Sequence, residues 1–536
     1  MLLTRLARAR EDAGSALVSV IALVLTLSFI TAALLGVTLS ATAFTTSARA
    51  ASQSKAAAQA GLDVTRLALN SGSCTASGAV TAVGATGTYQ VSVYVPSGGG
   101  WALGCPSDSG TQLRLVSVGT AAGKGTGGAT TGDTTTIAAV LAPGVLTLPA
   151  TGPAVYSYTA NSLSGGASIL PYNGSTPDVM VKSGDVSCSG GSLNNVSDLV
   201  VANGALTMSG SCAVAGNVSA TGALNVSGGA SVGGDAVASS IISSSAIGGG
   251  AWATGGISLS GGSARVGGNV SAAGAGLTGG AAIAGNAWIT GATTLSSSTI
   301  GGNLTTKTLS KSSSTVSGTT TVTSPAAPGA SPYVAPTAPA VPNWFDYTYS
   351  AANWAGYTLV TLSSAGACGN AQLTAALATI GGNPGLIDAR GCAGGVDPGS
   401  YQILTLANNV AIFANSFNLA GSAGFTAATP VTLWLITPDT TPNGVPTCVA
   451  GSSFTLAGGF LFSSTVSTMI YTPCTMNLTS GNTVYGQIWA GQVVTSGAGV
   501  LDFVPIGIPG YDLSTGSAVV TTKLRTVISQ TIVNGG

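Results

Sequence analysis

One phrase recurs at near-constant spacing in the middle of the chain. Gly216-Asn217, Gly234-Asp235, Gly249-Gly250, Gly268-Asn269, Gly285-Asn286 and Gly302-Asn303 follow one another at steps of 18, 15, 19, 17 and 17 residues. A Val or Ile precedes each: Val214, Val232, Ile247, Val266, Ile283, Ile300. A second apolar element lies midway, as LNVSGGA, ISLSGGS, AGLTGGA and TTLSSST. A fixed period signals a repeat architecture, because one unit alone cannot bury its apolar face. This period is too short and too β-like for helical repeats. Leu277, Ile283, Ile289 and Leu295 stand six apart, as on successive faces of a triangular coil. The spacing predicts a parallel β-helix, with Val, Ile and Leu stacked inward. Glycine and asparagine suit the corners, where few other residues take the backbone angles. Six coils at about 4.8 Å each give a rigid rod on the order of 30 Å. The sequons Asn217-Val-Ser and Asn269-Val-Ser coincide with corners and read as corner asparagines rather than glycan acceptors.

Across Val179–Leu309 the period and the V-x-G-N phrase resemble the bactofilin-type, polymer-forming β-helix. That resemblance implies self-association through the ends of the helix. Hexapeptide acyltransferase helices share a six-residue period, but those enzymes use a catalytic histidine and this chain has none.

Composition narrows the partners. Charged residues are 6% of the 536, against about 25% in ordinary soluble domains. Net charge is zero, so no basic surface attracts nucleic acid. At 45% hydrophobic residues the chain is not of the disordered type. Such a surface is solvated by hydroxyls and backbone, as suits the outside of a cell.

The eight cysteines are Cys74, Cys105, Cys188, Cys212, Cys368, Cys392, Cys448 and Cys474. An even count without C-x-x-C or histidine argues for disulfides in an oxidising compartment rather than a zinc site. Pairing in sequence order gives separations of 31, 24, 24 and 26, one scheme among several that the sequence allows.

No charge interrupts Ala13–Ala48, and Gly14–Phe44 is apolar enough to span a bilayer, which needs about 20 helical residues. Arg5, Arg8 and Arg10 precede it while Arg49 and Lys55 follow, a slight charge bias toward an N-terminus inside and the cysteine-bearing remainder outside; a retained anchor is expected, and a cleaved secretory signal is the rival reading. The short basic leader, Gly14, SALVSVIALVLTL and SARAASQSKAAAQAGLDVTRLAL resemble the N-terminus of type IV pilin-like proteins, closest to the PilX-type segment. The resemblance covers about 60 residues. It implies one long helix that spans the membrane and continues outside, with a processing site between Gly14 and Ser15. The family's glutamate five residues after that glycine stands here as Ser19. Ala51, Lys55, Ala58, Leu62, Thr65 and Leu69 keep helical spacing on the outer half. Alternating segments Thr88–Val95, Thr111–Thr120 and Thr134–Leu141 predict three strands packed on that half. GTAAGKGT (Gly119–Thr126) lacks phosphate-loop spacing and reads as a hairpin loop.

Ser312–Val341 is Ser/Thr- then Pro/Ala-rich and predicts an extended linker. NWFDYTYSAANWAGY then gathers aromatics in an aromatic-poor chain, as the start of a new core or as a ligand patch. Short apolar runs follow, and YGQIWAGQVVTSGAGVLDFVPIG resembles the end coils of surface β-solenoid proteins with pilin-like N-termini. A second β-solenoid or β-rich cap is expected.

The best acidic cluster for glycoside hydrolysis is Asp388, Arg390 and Asp397. A buried ion pair beside a turn aspartate explains it as well, and no activated nucleophile accompanies it. No enzyme activity, cofactor or metal is expected.

The expected organisation is a leader, transmembrane helix and extension over 1–75 and a small pilin-like sheet over 76–150. A linker over 151–177 precedes a parallel β-helix over 178–311. A linker over 312–342 then leads to a disulfide-braced β-rich domain over 343–536. The expected function is a structural or adhesive bacterial surface protein, a minor pilin or pilus-associated protein. Expected partners are the membrane, pilin subunits or a second copy, and a surface glycan or host ligand. A self-associating envelope scaffold is the alternative, and a carbohydrate-active enzyme the third.

Overall fold

The computed structural model describes residues 3–533 apart from 71–72, 85–86, 107–111, 123–132, 143–144, 147–151, 520–522 and positions 160, 165, 175, 191, 194, 355, 480 and 525. The chain is mainly β with one long N-terminal helix, and it divides into two units. One comprises Met1–Thr147 and Thr522–Gly536, the other Leu148–Thr521.

In the first unit, helix α1 runs Leu3–Asn70. Strands β1 (Thr81–Val83), β2 (Gly87–Ser97), β4 (Leu113–Ala121) and β5 (Thr134–Leu141) form an antiparallel sheet, with β3 (Gly100–Leu103) folded back on β2. Leu113, Leu115, Ser117, Gly119 and Ala121 alternate inward along β4. Ala58, Leu62 and Leu69 of α1 pack on Val91, Val93, Leu113, Leu115 and Ile137. Two glycines let helix and sheet approach closely. A Cβ on Gly119 would strike the Ser54 carbonyl and the Ala58 nitrogen, and one on Gly61 would strike Tyr89. Lys55, expected on the packed stripe, is exposed; Ala50, Ser54 and Ala57 complete that stripe. Residues 123–126 of the GTAAGKGT hairpin lie outside the described residues.

The edge of this sheet is a correction to the expected boundaries. The partner of β5 is the C-terminal strand Val527–Val533, with Ile532 opposite Ile137. The strand Val527–Val533 thus belongs with the N-terminal sheet, and the second unit is an insertion between the two parts of the first. Pairing across so long a stretch of chain leaves no local periodicity to read.

The second unit is a parallel β-helix in which each strand pairs with those one coil before and one coil after. Val218 pairs with Ala236, Ala236 with Ala251, Ala251 with Val270, Val270 with Ala287 and Ala287 with Leu304. Leu277, Ile283, Ile289 and Leu295 fall on successive sides of the coil, each no more than 1% exposed.

The chain enters this stack in its middle. Val155–Ser157 pairs with Val179–Val181 on one flank and with Ile488–Ala490 on the other. Coils over 155–316 therefore build away from the joint, and coils over 358–503 build up to it. The segment 151–177, expected as a linker, holds the strands of this first coil. The C-terminal solenoid is continuous with the first rather than a separate domain. YGQIWAGQVV, expected in an end coil, makes the joint, because its outer flank finds a matching coil in 155–171.

The expected 312–342 linker also divides. Thr315–Val316 and Thr320–Val322 complete the last coil. The Pro/Ala segment then returns along the outside of the stack. Trp288 donates to the Gly329 carbonyl (3.0 Å), and Lys182 reaches the Val341 carbonyl (3.3 Å) and Asn343 Oδ1 (2.9 Å). Beyond it, Trp344, Phe345, Tyr347 and Trp354 cover an outward apolar column, Phe413, Ile436, Tyr471, Trp489, Tyr156, Met180 and Val200. The aromatic cluster is thus core, because this face of the sheet needs an apolar cover.

Candidate functional site

The first half of α1 is long and apolar enough to cross a membrane. From Leu17 to Phe44 its large side chains are exposed, Phe29 and Phe44 at 73%. This stretch is about 40 Å long at 1.5 Å per residue, longer than the hydrocarbon core of about 30 Å. Its hydroxyls are internally satisfied: Thr26 donates to the Ala22 carbonyl (2.9 Å), Ser28 to Val24 (2.7 Å) and Thr31 to Leu27 (2.9 Å). Unsatisfied donors are costly in lipid, so this back-bonding removes the polarity of the Ser and Thr residues. Gly14 and Ser15 lie within α1, and their side chains fall outside the described residues.

The Gly-Asn phrase has a specific geometry. Asn217 Oδ1 accepts the Asp235 N–H (3.0 Å), and Asp235 Oδ1 accepts the Gly250 N–H (2.7 Å). Asn269 Oδ1 accepts from Asn286 (2.9 Å), Asn286 from Asn303 (2.8 Å) and Asn303 from Thr319 (2.7 Å). Each side chain thereby satisfies a backbone donor of the next coil. The glycines clear the path: a Cβ on Gly234 would meet Asn217 Oδ1, one on Gly285 Asn269 Oδ1, and one on Gly302 Asn286 Oδ1. A Cβ on Gly216 would meet the Ser197 carbonyl, and one on Gly268 the backbone of Gly249 and Gly250. The expected reason for these glycines, an unusual corner conformation, is corrected to close approach between coils. Positive φ occurs instead at the corner holding Gly210, Gly228, Gly261 and Gly279.

The ladder begins with two carboxylates. Asp178 Oδ1 accepts the Asp198 N–H (3.2 Å), and Asn217 Nδ2 donates to Asp198 Oδ1 (3.2 Å). Burial, then the nearby Asp198 charge, pushes the Asp178 carboxyl up to about 6. Among the described residues, no three His, Cys, Asp or Glu side chains converge as metal ligands would.

The cysteines form four disulfides: Cys74–Cys105, Cys188–Cys212, Cys368–Cys392 and Cys448–Cys474. Cys188, Cys212, Cys368 and Cys392 are fully buried within the solenoid core.

Asp388 and Arg390 form a two-pronged ion pair, 2.8 Å to Nε and 2.7 Å to Nη2. Arg390 also lies 4.5 Å over the Tyr349 ring. The guanidinium holds the Asp388 carboxyl below its usual range. Asp397 has its own partners, the Gly399 N–H (2.9 Å) and Asn418 Nδ2 (2.8 Å).

The two ends of the stack differ. Helix α2 (Asn370–Ile380) buries Leu373, Ala376 and Ile380 over one end. At the other end the inward column Leu259, Leu277, Leu295 continues to Lys311, and Leu304 is followed by Thr320. Sequence reasoning missed both features; the Lys311 signal was a charge standing in a Leu register.

No family model matches the chain, and no curated protein matches it. Among solved structures, the crystal structure of the competence-associated pilin ComZ from Thermus thermophilus is similar at 12% identity, covering 90% of this chain and 98% of that chain, with a TM-score of 0.19.

Proposed function

We propose that this chain is a membrane-anchored extracellular structural or adhesive protein of a bacterial surface, associated with a pilus, with its N-terminus in the cytoplasm. One observation carries the reading: α1 exposes an apolar, internally hydrogen-bonded stretch over 17–44 and buries its next turns against a sheet from Ala50 onward. Four disulfides suit an oxidising exterior. The low charge and the hydroxyl-rich β-helix suit a passive, rigid module. Asp388 and Asp397 are read as structural rather than catalytic, since each is committed to its own partner.

The scaffold alternative needs coils that stack end to end. The α2 cover and Lys311, an exposed charge standing in the register of the Leu column, oppose that, because edge charges and covered ends are how sheets avoid pairing with further strands. The reading is tested on the protein from its native envelope. Digestion of intact cells by an impermeant protease should remove residues beyond α1, and the mature chain should begin at Ser15 and co-purify with filaments. Protection from the protease would overturn an extracellular placement. A chain retaining Arg5–Arg10 and absent from filaments would remove the pilus association.

A further inference from the structure

The strongest unassigned feature is a surface cleft of about 270 Å³ in the solenoid unit. Its floor is two neighbouring strands, with Thr475, Asn477 and Gln492 half-buried and pointing outward. Its wall is the excursion between the strands Val431–Ile436 and Phe454–Leu456, reaching the cleft with Pro446, Ser452 and Ser453.

That wall is held rigidly. The Cys448–Cys474 disulfide ties it to the floor where the strand register shifts between Thr472 and Thr475. Fully buried Asp439 accepts the Thr441 N–H (3.3 Å), the Thr447 N–H (3.0 Å) and Trp344 Nε1 (3.0 Å). Asp346 Oδ2 accepts the Gly444 N–H (2.7 Å). A long loop needs no such restraint merely to connect two strands, and preorganisation lowers the entropy cost of binding.

The chemistry of the lining selects the ligand. No lining residue is charged. Thr475 Oγ1 donates to Gln492 Oε1 (3.1 Å), which leaves the Gln492 amide N–H groups facing outward as donors beside a hydroxyl acceptor. Among the described residues, the Gln492 amide nitrogen and the Asn477 side chain have no protein partner. Pro446 and Pro473 add apolar surface. Paired neutral donors and acceptors match adjacent sugar hydroxyls, and the volume lies just under the roughly 300 Å³ at which pockets for drug-sized ligands start.

We propose that this cleft binds one unit of a neutral glycan. The inference rests on the extracellular reading above and names the ligand class of that surface.

The test uses the full chain in detergent, titrated by calorimetry with neutral glucan, mannan and galactan hexasaccharides. A sulfated hexasaccharide serves as the charged control. The expected result is saturable binding of a neutral hexasaccharide, insensitive to salt. N477A and Q492A should each weaken it roughly three- to tenfold, the size of one neutral hydrogen bond. The C448S/C474S double variant should weaken it further while leaving the circular dichroism unchanged. Absence of binding to every neutral probe, preference for the sulfated one, or unchanged affinity in both N477A and Q492A would overturn the proposal. The protease experiment on intact cells reads the surface placement separately, so either reading can fail alone.

Discussion

Trp489 stacks on Tyr156 with ring centroids 3.9 Å apart and planes within 9°. The two residues are far apart in sequence, and they pair in register where the last coil of one half-solenoid meets the first coil of the other. Buried Gln487 closes the same joint: its Nε2 donates to the Pro153 carbonyl (3.2 Å), and its Oε1 accepts from Ile506 (2.7 Å) and Gly507 (3.0 Å). The joint is therefore both apolar and specifically hydrogen-bonded. Trp489→Ala should cost about 3–5 kcal/mol. Hydrogen exchange should show protection falling together in 155–163 and 486–495.

The corner ladder predicts an ordered pair of defects. Asn286→Ala leaves the Asn303 N–H without its acceptor and should cost about 1–3 kcal/mol. Gly302→Ala places a methyl group 2.5 Å from Asn286 Oδ1, so it should destabilise through overpacking and loss of the same bond. Denaturant midpoints of the two variants check the direction, and a wild-type midpoint for Gly302→Ala would refute the close-approach account.

Asp178 makes stability depend on pH. Its folded-state carboxyl titrates near 6, above the 3.8 of a free aspartate. The folded protein therefore binds this proton more tightly than the unfolded chain. Its contribution is full below pH 3.8 and is lost as pH rises through about 6. Burial raises Asp439 and Asp502 in the same sense, so the decline is shared. Asp178→Asn keeps an acceptor for the Asp198 N–H, and it should flatten part of the decline in thermal midpoint between pH 4 and pH 7.

Lys311 should act as a stop. It stands in the inward column after Leu295, at the end of the stack that carries no covering helix among the described residues. Lys311→Leu would extend the apolar column to the open edge. Sedimentation should then show concentration-dependent association, while the wild-type protein under the same detergent conditions does not associate through this end.

Much of this protein was legible because its code is local. The steps between Gly-Asn pairs are the steps between paired strands, since a coil of fixed circumference forces a fixed sequence period. The apolar run of α1 and the alternation of β2, β4 and β5 are equally local. What the sequence left open depended on distant surfaces meeting. Val527–Val533 pairs with a strand that lies on the far side of the whole inserted unit in sequence. The aromatic segment 344–354 becomes a cover because Tyr471, Trp489 and Tyr156 line up outward on strands brought together by stacking. The cleft at Gln492 forms where a disulfide and the carboxylates of Asp439 and Asp346 hold a loop beside the sheet. Periodicity follows from bonds between neighbours in the chain. The joint, the cover and the cleft follow from which faces remain exposed once those neighbours are packed.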